Sequence, residues 1–250
     1  MEPAAMFTED TLLDGRVKLT QPQDGYRVAI DPVLLAAAVP AKAGERVLDI
    51  GAGSGAAALC LASRLPDVRV DGIELQPALF ALAEQNVARN ALQARLRILL
   101  GDLLDPPAGF PEGAYDHVMA NPPHLPAGGS APRDEERRLA HQEGTARLAD
   151  WVRFAARMAK AGGTITFLHR FDRLEELLGL FGKAAGDLCV LPLAPRAGKP
   201  PKRVLVQGRK GASGKTVHAD TLFLHDATGA YTVALEAVLR EGNALSLGRS

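Results

Sequence analysis

Residues 46–55, "RVLDIGAGSG", decide the fold of this chain. "RVLDI" is a short apolar run typical of a buried strand, and "GAGSG" breaks it before a helical stretch, "AAALCLASRL" (56–65). Gly51 and Gly53 permit a tight turn and a close approach of the backbone to a ligand. In an open parallel sheet, ligands bind at the carboxyl ends of the strands. The sequence therefore predicts a ligand site at this turn.

Strand-like and helical segments alternate along the rest of the chain. Further strand-like runs lie at 68–74, 94–102, 115–121 and 162–170, and the helical patterns between and after them lie at 77–90, 148–160 and 171–184. Alternation of this kind is typical of a mostly parallel sheet that helices cover on both faces. We predict a doubly wound, Rossmann-like α/β fold with a seven-stranded sheet.

The C-terminal part follows a different pattern. "DLCVLPLAP" (187–195) and "KRVLVQGRKG" (202–211) are two strand-like runs, and the link between them is too short for a crossover helix. Such a connection requires antiparallel pairing. The sheet is therefore expected to end in an antiparallel hairpin within residues 188–219.

Charge is distributed unevenly along the chain. The whole sequence has 29 basic and 29 acidic residues, but residues 188–219 contain seven cations and no Asp or Glu. This basic segment predicts a polyanionic partner on one face of the protein. A solvated basic face is the alternative interpretation.

Composition excludes several other classes of protein. An apolar fraction of 47% and a charged fraction of 23% are typical of a globular domain. No apolar run reaches the roughly 20 residues that cross a bilayer, and the N-terminus lacks the pattern of a signal peptide. Cys60 and Cys189 lie far apart, and the six His residues show no ligand spacing. We expect a cytoplasmic protein without a metal site or membrane contact, and no oligomeric state is indicated.

Residues 1–45 form an N-terminal extension to a main domain at 46–250. The extension contains two strand-like pieces, "RVKLTQ" (16–21) and "YRVAI" (26–30). A helix is predicted to follow, with Asp31 as its N-cap and Pro32 at the first helical position.

Acidic residues after the strands indicate the kind of ligand. Glu74 ends the second strand, 23 residues after Gly51, where it could bind the hydroxyls of a ribose. The glycine pattern also satisfies the dinucleotide-binding motif. Asp49 favours a cationic cofactor such as S-adenosylmethionine, because an acid there would repel a pyrophosphate. Asp102 could accept a hydrogen bond from an adenine amino group, although a turn residue is the alternative.

In this order, the motifs "VLDIGAGSG", "GIELQP", "GDLLD" and "MANPP" resemble class I S-adenosylmethionine-dependent methyltransferases of the Asn-Pro-Pro amino-methylating group. The segments "QPQDGYRVAIDPVLLAA" (21–37) and "PLAPRAGKPPKRVLVQGRKG" (192–211) are similar to the bacterial tRNA(Val) adenine-N6 methyltransferase family. The resemblance extends from about residue 10 to about residue 245. Its motifs are more specific for the cofactor than for the nucleic acid.

The resemblance implies a role for the stretch "NPPH" at 121–124. The Asn121 side-chain oxygen and the Pro122 carbonyl would accept the two hydrogens of an adenine amino group and direct its lone pair at the methyl group. Pro122 and Pro123 would hold these acceptors still. His124 stands where the family usually has Tyr or Phe. Stacking on the target base, altered activity and a structural role all remain open for it.

The resemblance also implies which residues bind the cofactor. The N-terminal extension would fold over the cofactor pocket. The predicted cofactor contacts are Tyr26, Arg27, Asp49, Gly51, Ala52, Gly53, Glu74, Leu75, Asp102, Leu103 and Asn121. The charge of the basic segment predicts RNA contacts at Arg196, Lys199, Lys202, Arg203, Arg209 and Lys210. Packing is the alternative for Arg203, which alternates with apolar residues.

The expected activity is therefore methylation of an adenine N6 in RNA, most directly tRNA. Methylation of a release-factor glutamine is a second hypothesis, because the same Asn-Pro-Pro segment can hold an amide nitrogen. Enzymes of that kind carry a helical domain before the glycine loop, where this sequence has about 45 residues. A non-catalytic cofactor-binding module is a third, and DNA adenine methylation stays open.

Overall fold

The computed structural model describes residues 7–23, 29–108, 110–123 and 146–247. The strands are β1 (Phe7–Leu12), β2 (Val17–Pro22), β3 (Arg46–Ile50), β4 (Arg69–Glu74), β5 (Leu96–Leu100), β6 (Tyr115–Ala120), β7 (Ala159–Arg170), β8 (Ala185–Ala194), β9 (Arg203–Lys210), β10 (Val217–His218) and β11 (Leu222–Phe223). The helices are α1 (Asp31–Ala38), α2 (Ala56–Arg64), α3 (Pro77–Arg89), α4 (Leu148–Met158), α5 (Leu174–Phe181) and α6 (Val233–Glu236). In the part of the chain that the structure describes, no helix has the length and apolar character needed to span a membrane.

The central sheet confirms the predicted fold class. Its seven longer strands lie in the order β8-β9-β7-β6-β3-β4-β5. All neighbours pair in parallel except β9, which is antiparallel to both β7 and β8. The two-residue strands β10 and β11 pair in parallel with β8 and were not predicted. They are too short to show an alternating pattern in the sequence.

Both faces of the sheet are covered, as its sequence pattern requires. Along β3, Val47 belongs to the core cluster that contains α1 and α2, and Leu48 and Ile50 belong to the cluster that contains α4 and α5. Successive side chains of a strand point to opposite faces, so a strand buried on both sides is continuously apolar.

The N-terminal hairpin of β1 and β2 packs on α3 through a buried amide. The Asn86 side chain, which is 1% exposed, donates to the carbonyls of Thr20 (2.8 Å) and Ser54 (2.9 Å) and accepts from the Thr20 N–H (2.8 Å). One side chain therefore connects the hairpin to the turn that follows β3. The strand β1 was not predicted.

The start of α1 differs from the prediction. Ile30 occupies the N-cap position, and Asp31 is the first residue of the helix without a capping hydrogen bond. The Asp31 carboxylate instead accepts from Arg203 Nε at 3.1 Å. The predicted N-cap was wrong because an ion pair with the distant strand β9 engages the carboxylate. Of the predicted strand at 26–30, residues 26–28 lie outside the described residues, and 29–30 are not in a strand.

We expect the Asn86→Asp variant to destabilise the fold by about 2–4 kcal/mol, because a buried carboxylate would face two carbonyls that now accept hydrogen bonds. Asn90→Asp is a matched control. Asn90 makes the same pair of bonds with the backbone of Lys18 in a more exposed position. Urea unfolding measures both variants, and equal losses would show that burial of Asn86 is not the cause.

Candidate active site

The register of the sheet brings the ends of four strands into one row. Ile50 of β3 pairs with Ala120 of β6 on one side and with Ile73 of β4 on the other, and Glu74 pairs with Leu100 of β5. Neighbouring strands lie about 4.8 Å apart. The predicted residues that follow these strand ends are therefore adjacent, in the order Asn121, Gly51, Leu75 and Asp102.

The glycine turn is fixed by the neighbouring strand. The N–H groups of Gly51 and Ala52 both donate to the Ile73 carbonyl, at 2.8 and 3.0 Å. Gly51 and Gly53 have φ values of 68° and 59°, which favour glycine. The turn follows directly from β3 and leads into α2, as the sequence predicts.

Gly51 is also required for packing. A Cβ atom at Gly51 would lie 2.5 Å from Cη2 of Trp151, whereas one at Gly53 would meet nothing within 4 Å. Trp151 is the only tryptophan of the chain and is 8% exposed on α4. The sequence analysis did not select Trp151, because its place in an amphipathic helix predicts only a core residue.

Glu74 holds the turn with its carboxylate. Oε2 accepts from the Gly53 N–H and Oε1 from the Gln76 N–H, both at 2.8 Å. Burial raises the pKa of Glu74, although backbone hydrogen bonds oppose that shift. Each carboxylate oxygen can accept a second hydrogen bond. Glu74 could therefore bind a pair of ligand hydroxyls while it keeps the turn in place.

Asp49 is a buried acid with an unsatisfied oxygen. Its Oδ2 atom is buried and has no hydrogen-bond partner among the described residues. Burial raises the pKa of Asp49 to about 7, the Ala58 N–H opposes this, and the nearby Glu74 charge adds to it. A cationic ligand would stabilise the ionised form.

The β5 end of the row presents apolar side chains and one acid. Asp102 Oδ1 accepts a hydrogen bond from the Leu104 N–H at 2.8 Å, so the side chain does stabilise a turn. Its Oδ2 atom can still accept a hydrogen bond from a ligand. Leu75 is 56% exposed and Leu104 is 46% exposed. The side chain of Leu103 packs instead against the core cluster of α4 and α5. Exposed Leu104 was missed by the sequence analysis.

The segment after β6 carries a second unsatisfied atom. Asn121 Oδ1 is buried and has no hydrogen-bond partner among the described residues. A buried acceptor that is left unpaired lowers the stability of the fold by about 1–3 kcal/mol. Pro122 is buried and Pro123 half-buried, and their rings restrict the backbone on which Asn121 lies. Tyr26, Arg27 and His124 fall outside the described residues.

The structure divides the predicted RNA contacts between two edges of the sheet. The loop at 195–202 lies at the carboxyl edge, since Arg203 pairs with Arg170 at the end of β7. The side chains of Arg196, Lys199 and Lys202 are exposed there without a partner among the described residues.

The other three predicted contacts are engaged within the fold. Arg203 forms the ion pair with Asp31. Arg209 and Lys210 lie at the opposite edge and donate to the carbonyls of Gly162 (2.6 Å) and Ala159 (2.7 Å). The prediction of one continuous basic surface does not describe all six side chains.

Comparisons with known proteins agree with the fold class. The family model described as "Methyltransferase small domain" matches residues 27–137. A tRNA1(Val) (adenine(37)-N6)-methyltransferase of Porphyromonas gingivalis is 33% identical over 228 residues, which cover 87% of this chain and 88% of that protein. A protein of the same name from Yersinia pseudotuberculosis is 34% identical, and the match covers 82% of this chain and 81% of that protein. The structure of a predicted O-methyltransferase from Agrobacterium tumefaciens has a TM-score of 0.73 at 25% identity, covering 86% of this chain and 98% of that one.

The fold and the matches define an S-adenosylmethionine-dependent methyltransferase. Within that class, the chain belongs to the tRNA1(Val) adenine-N6 methyltransferase family.

We expect Asp49 to make the ligand-free protein less stable as pH rises. Its pKa is about 7 in the folded state against an ordinary 3.8, so the folded protein binds more protons between these values. The stability that follows from this proton binding is fully present below about pH 4. It is lost as pH rises through 7, at up to about 1.4 kcal/mol of unfolding free energy per pH unit.

The control is Asp49→Asn, which removes the titration and keeps the shape. Urea unfolding of both proteins across this pH range, without cofactor, gives two curves. The free energy of unfolding of wild type minus that of Asp49→Asn should decline as pH rises. Parallel curves would contradict the raised pKa of Asp49.

Proposed function

We propose that this protein transfers the methyl group of S-adenosylmethionine to the exocyclic N6 of an adenine in RNA, most directly in tRNA. The observation that carries the proposal is the buried Oδ1 of Asn121, which has no hydrogen-bond partner among the described residues and lies one strand away from the glycine turn. The names of the relatives support the same substrate. A cytoplasmic location follows from a tRNA substrate.

The cofactor would lie along the row of strand ends. Asp49 Oδ2 would accept from the cationic amino group of the methionine part, and its pKa would fall as the ion pair forms. Glu74 would bind the ribose hydroxyls. Asp102 would accept from the adenine amino group, between the exposed side chains of Leu75 and Leu104. In this order the sulfonium would lie next to Gly51 and Asn121.

The residues after β6 would prepare the amine for reaction. An adenine amino nitrogen is a poor nucleophile because its lone pair is delocalised into the ring. Asn121 Oδ1 and the Pro122 carbonyl would accept its two hydrogens, which favours a pyramidal nitrogen. Bound S-adenosylmethionine would supply the methyl group, with the electrons of the broken C–S bond left on sulfur. Asn121 and Pro122 would aim the lone pair of the amine at that methyl group. The alkylated nitrogen would be acidic and would lose its proton to water, so no strong base is required.

Rigidity is the contribution of the two prolines. The acceptors lie on a backbone that Pro122 and Pro123 restrict, so little reorganisation remains when charge develops on the nitrogen. Preorganised acceptors of this kind affect the rate of transfer more than the affinity for substrate.

The direct experiment is an assay with tritiated S-adenosylmethionine and bulk tRNA from a strain that lacks this gene, followed by nucleoside analysis. Label in N6-methyladenosine is the expected result. Label absent from tRNA, with cofactor binding measured separately, would overturn the RNA assignment. Release-factor glutamine would then be the next substrate to test.

Asn121→Ala should lower kcat by about 100-fold or more and leave the Kd of the cofactor within a few-fold, because an acceptor used in the transition state is removed. Asn121→Asp keeps an oxygen acceptor at the same place and should retain more activity. Asn243→Ala, an exposed position near the C-terminus, is the neutral control. Full turnover by the Asn121→Ala enzyme would refute the role.

Replacing Arg196, Lys199 and Lys202 together with Gln should weaken RNA binding and flatten its dependence on salt. Each lost phosphate contact lowers the magnitude of the slope of log K against log salt by about 0.7–0.9. The slope of the triple variant should therefore be smaller by about 2–3. Arg209→Gln is the matched control, because that side chain lies at the other edge and binds the Gly162 carbonyl. Filter binding over a series of KCl concentrations measures both. A change of slope in the control alone would move the RNA surface to that edge.

A further inference from the structure

An arginine-lined cleft lies at the edge of the sheet opposite the active site. The cleft has a volume of about 490 Å³ and opens where β3, β4 and β5 begin. The described residues between β5 and β6 form no helix, in contrast to the other strand connections on this half of the sheet. The side chains that matter for its chemistry are Arg46, Arg69, Asp71, Arg95 and Arg97.

A single buried acid orients two of the arginines. Asp71 is 7% exposed and accepts from Arg46 (3.0 Å), from Arg97 Nε (2.6 Å) and from the Tyr115 hydroxyl (2.8 Å). Burial alone would raise the pKa of Asp71, but the hydrogen bonds from Arg97, Tyr115 and Arg46 outweigh it and hold the pKa low. The guanidinium of Arg46 also lies over the Tyr115 ring, 5.0 Å from its centroid. Both guanidinium groups are therefore held in fixed positions.

The cleft keeps an excess of positive charge after this pairing. Four arginines face one aspartate, which leaves a formal charge of +3. Arg95 is anchored by the carbonyls of Ala62 (2.6 Å) and Leu65 (3.2 Å). The Arg97 side chain is 58% exposed, and exposed Arg69 has no side-chain partner among the described residues. These two arginines present donors that nothing in the described structure uses.

We propose that this cleft is a phosphate-binding site, separate from the site of methyl transfer. Guanidinium groups match the oxygens of a phosphate in pairs, and groups held by Asp71 lose little side-chain freedom on binding. The volume falls within the range of small-molecule sites. The phosphate is supplied either by the backbone of a bound RNA or by a free phosphorylated compound. Strands of five or six residues separate this cleft from the active site, so a bound RNA would have to reach across the sheet.

The test uses pyrophosphate as the probe and Arg69→Glu as the variant. Because the Arg69 side chain has no partner among the described residues, its charge can be reversed without removing a group that pairs with Asp71. Lys183→Glu is the matched control: Lys183 is exposed, without a side-chain partner among the described residues, and outside the cleft. Thermal unfolding and calorimetry measure pyrophosphate binding by wild type and both variants.

Saturable binding by wild type and Lys183→Glu, with at least tenfold weaker binding by Arg69→Glu, supports the site. The absence of saturable binding by wild type, or equal binding by all three proteins, overturns it.

A second arm identifies the source of the phosphate and rests on the proposed function. If Arg69→Glu also weakens tRNA binding and lowers its salt slope by about 1, the RNA backbone occupies the cleft. If tRNA binding is unchanged while pyrophosphate binding is lost, the ligand is a free phosphorylated compound. Failure of wild type to bind tRNA would contradict the proposed function and leave the pyrophosphate result as it stands.

Discussion

The structure depends on how β4 holds the turn that follows β3. One carbonyl, that of Ile73, accepts from both Gly51 and Ala52, and the carboxylate of the next residue, Glu74, accepts from Gly53. Backbone donors of the turn are thus satisfied inside the protein. The turn needs glycine at position 51 both for its positive φ and because the Trp151 ring lies against the Cα atom. The packing of α4 and the geometry of the glycine turn therefore depend on the same glycine.

Two buried oxygens at this edge lack a hydrogen-bond partner in the described part of the chain. Asp49 Oδ2 and Asn121 Oδ1 have no partner among the described residues, although a buried polar group without a partner reduces stability. They lie on adjacent strands, at the positions where the proposed cofactor ammonium and the target amine would supply hydrogens. The proposed cofactor and the target base would each relieve one of these penalties, which is the arrangement expected of a site that favours its substrates over water.

The parts predicted from the sequence are those with local signals. Alternating strands and helices and the glycine turn follow from short patterns of residue type, and the assigned roles of Glu74 and Asn121 stay predictions. The errors came from interactions between distant segments: Arg203 engages Asp31 across 172 residues, and the Gly162 carbonyl engages Arg209. The same cause hid Trp151, whose contact with Gly51 joins two segments 100 residues apart. Composition located the basic segment, but only the antiparallel course of β9 shows that its cations reach two different edges.

The two edges differ in how their cations are held, and this difference bears on what each can bind. At the carboxyl edge, Lys199 and Lys202 are exposed and unpaired among the described residues, which suits a polyanion bound largely by charge. At the opposite edge, Asp71 fixes Arg46 and Arg97 in the cleft. A fixed guanidinium selects the geometry of an anion as well as its charge, because its donors cannot rearrange freely around a different shape. The two proposals therefore assign a long, flexible anion to the carboxyl edge and a phosphate group of defined geometry to the opposite edge.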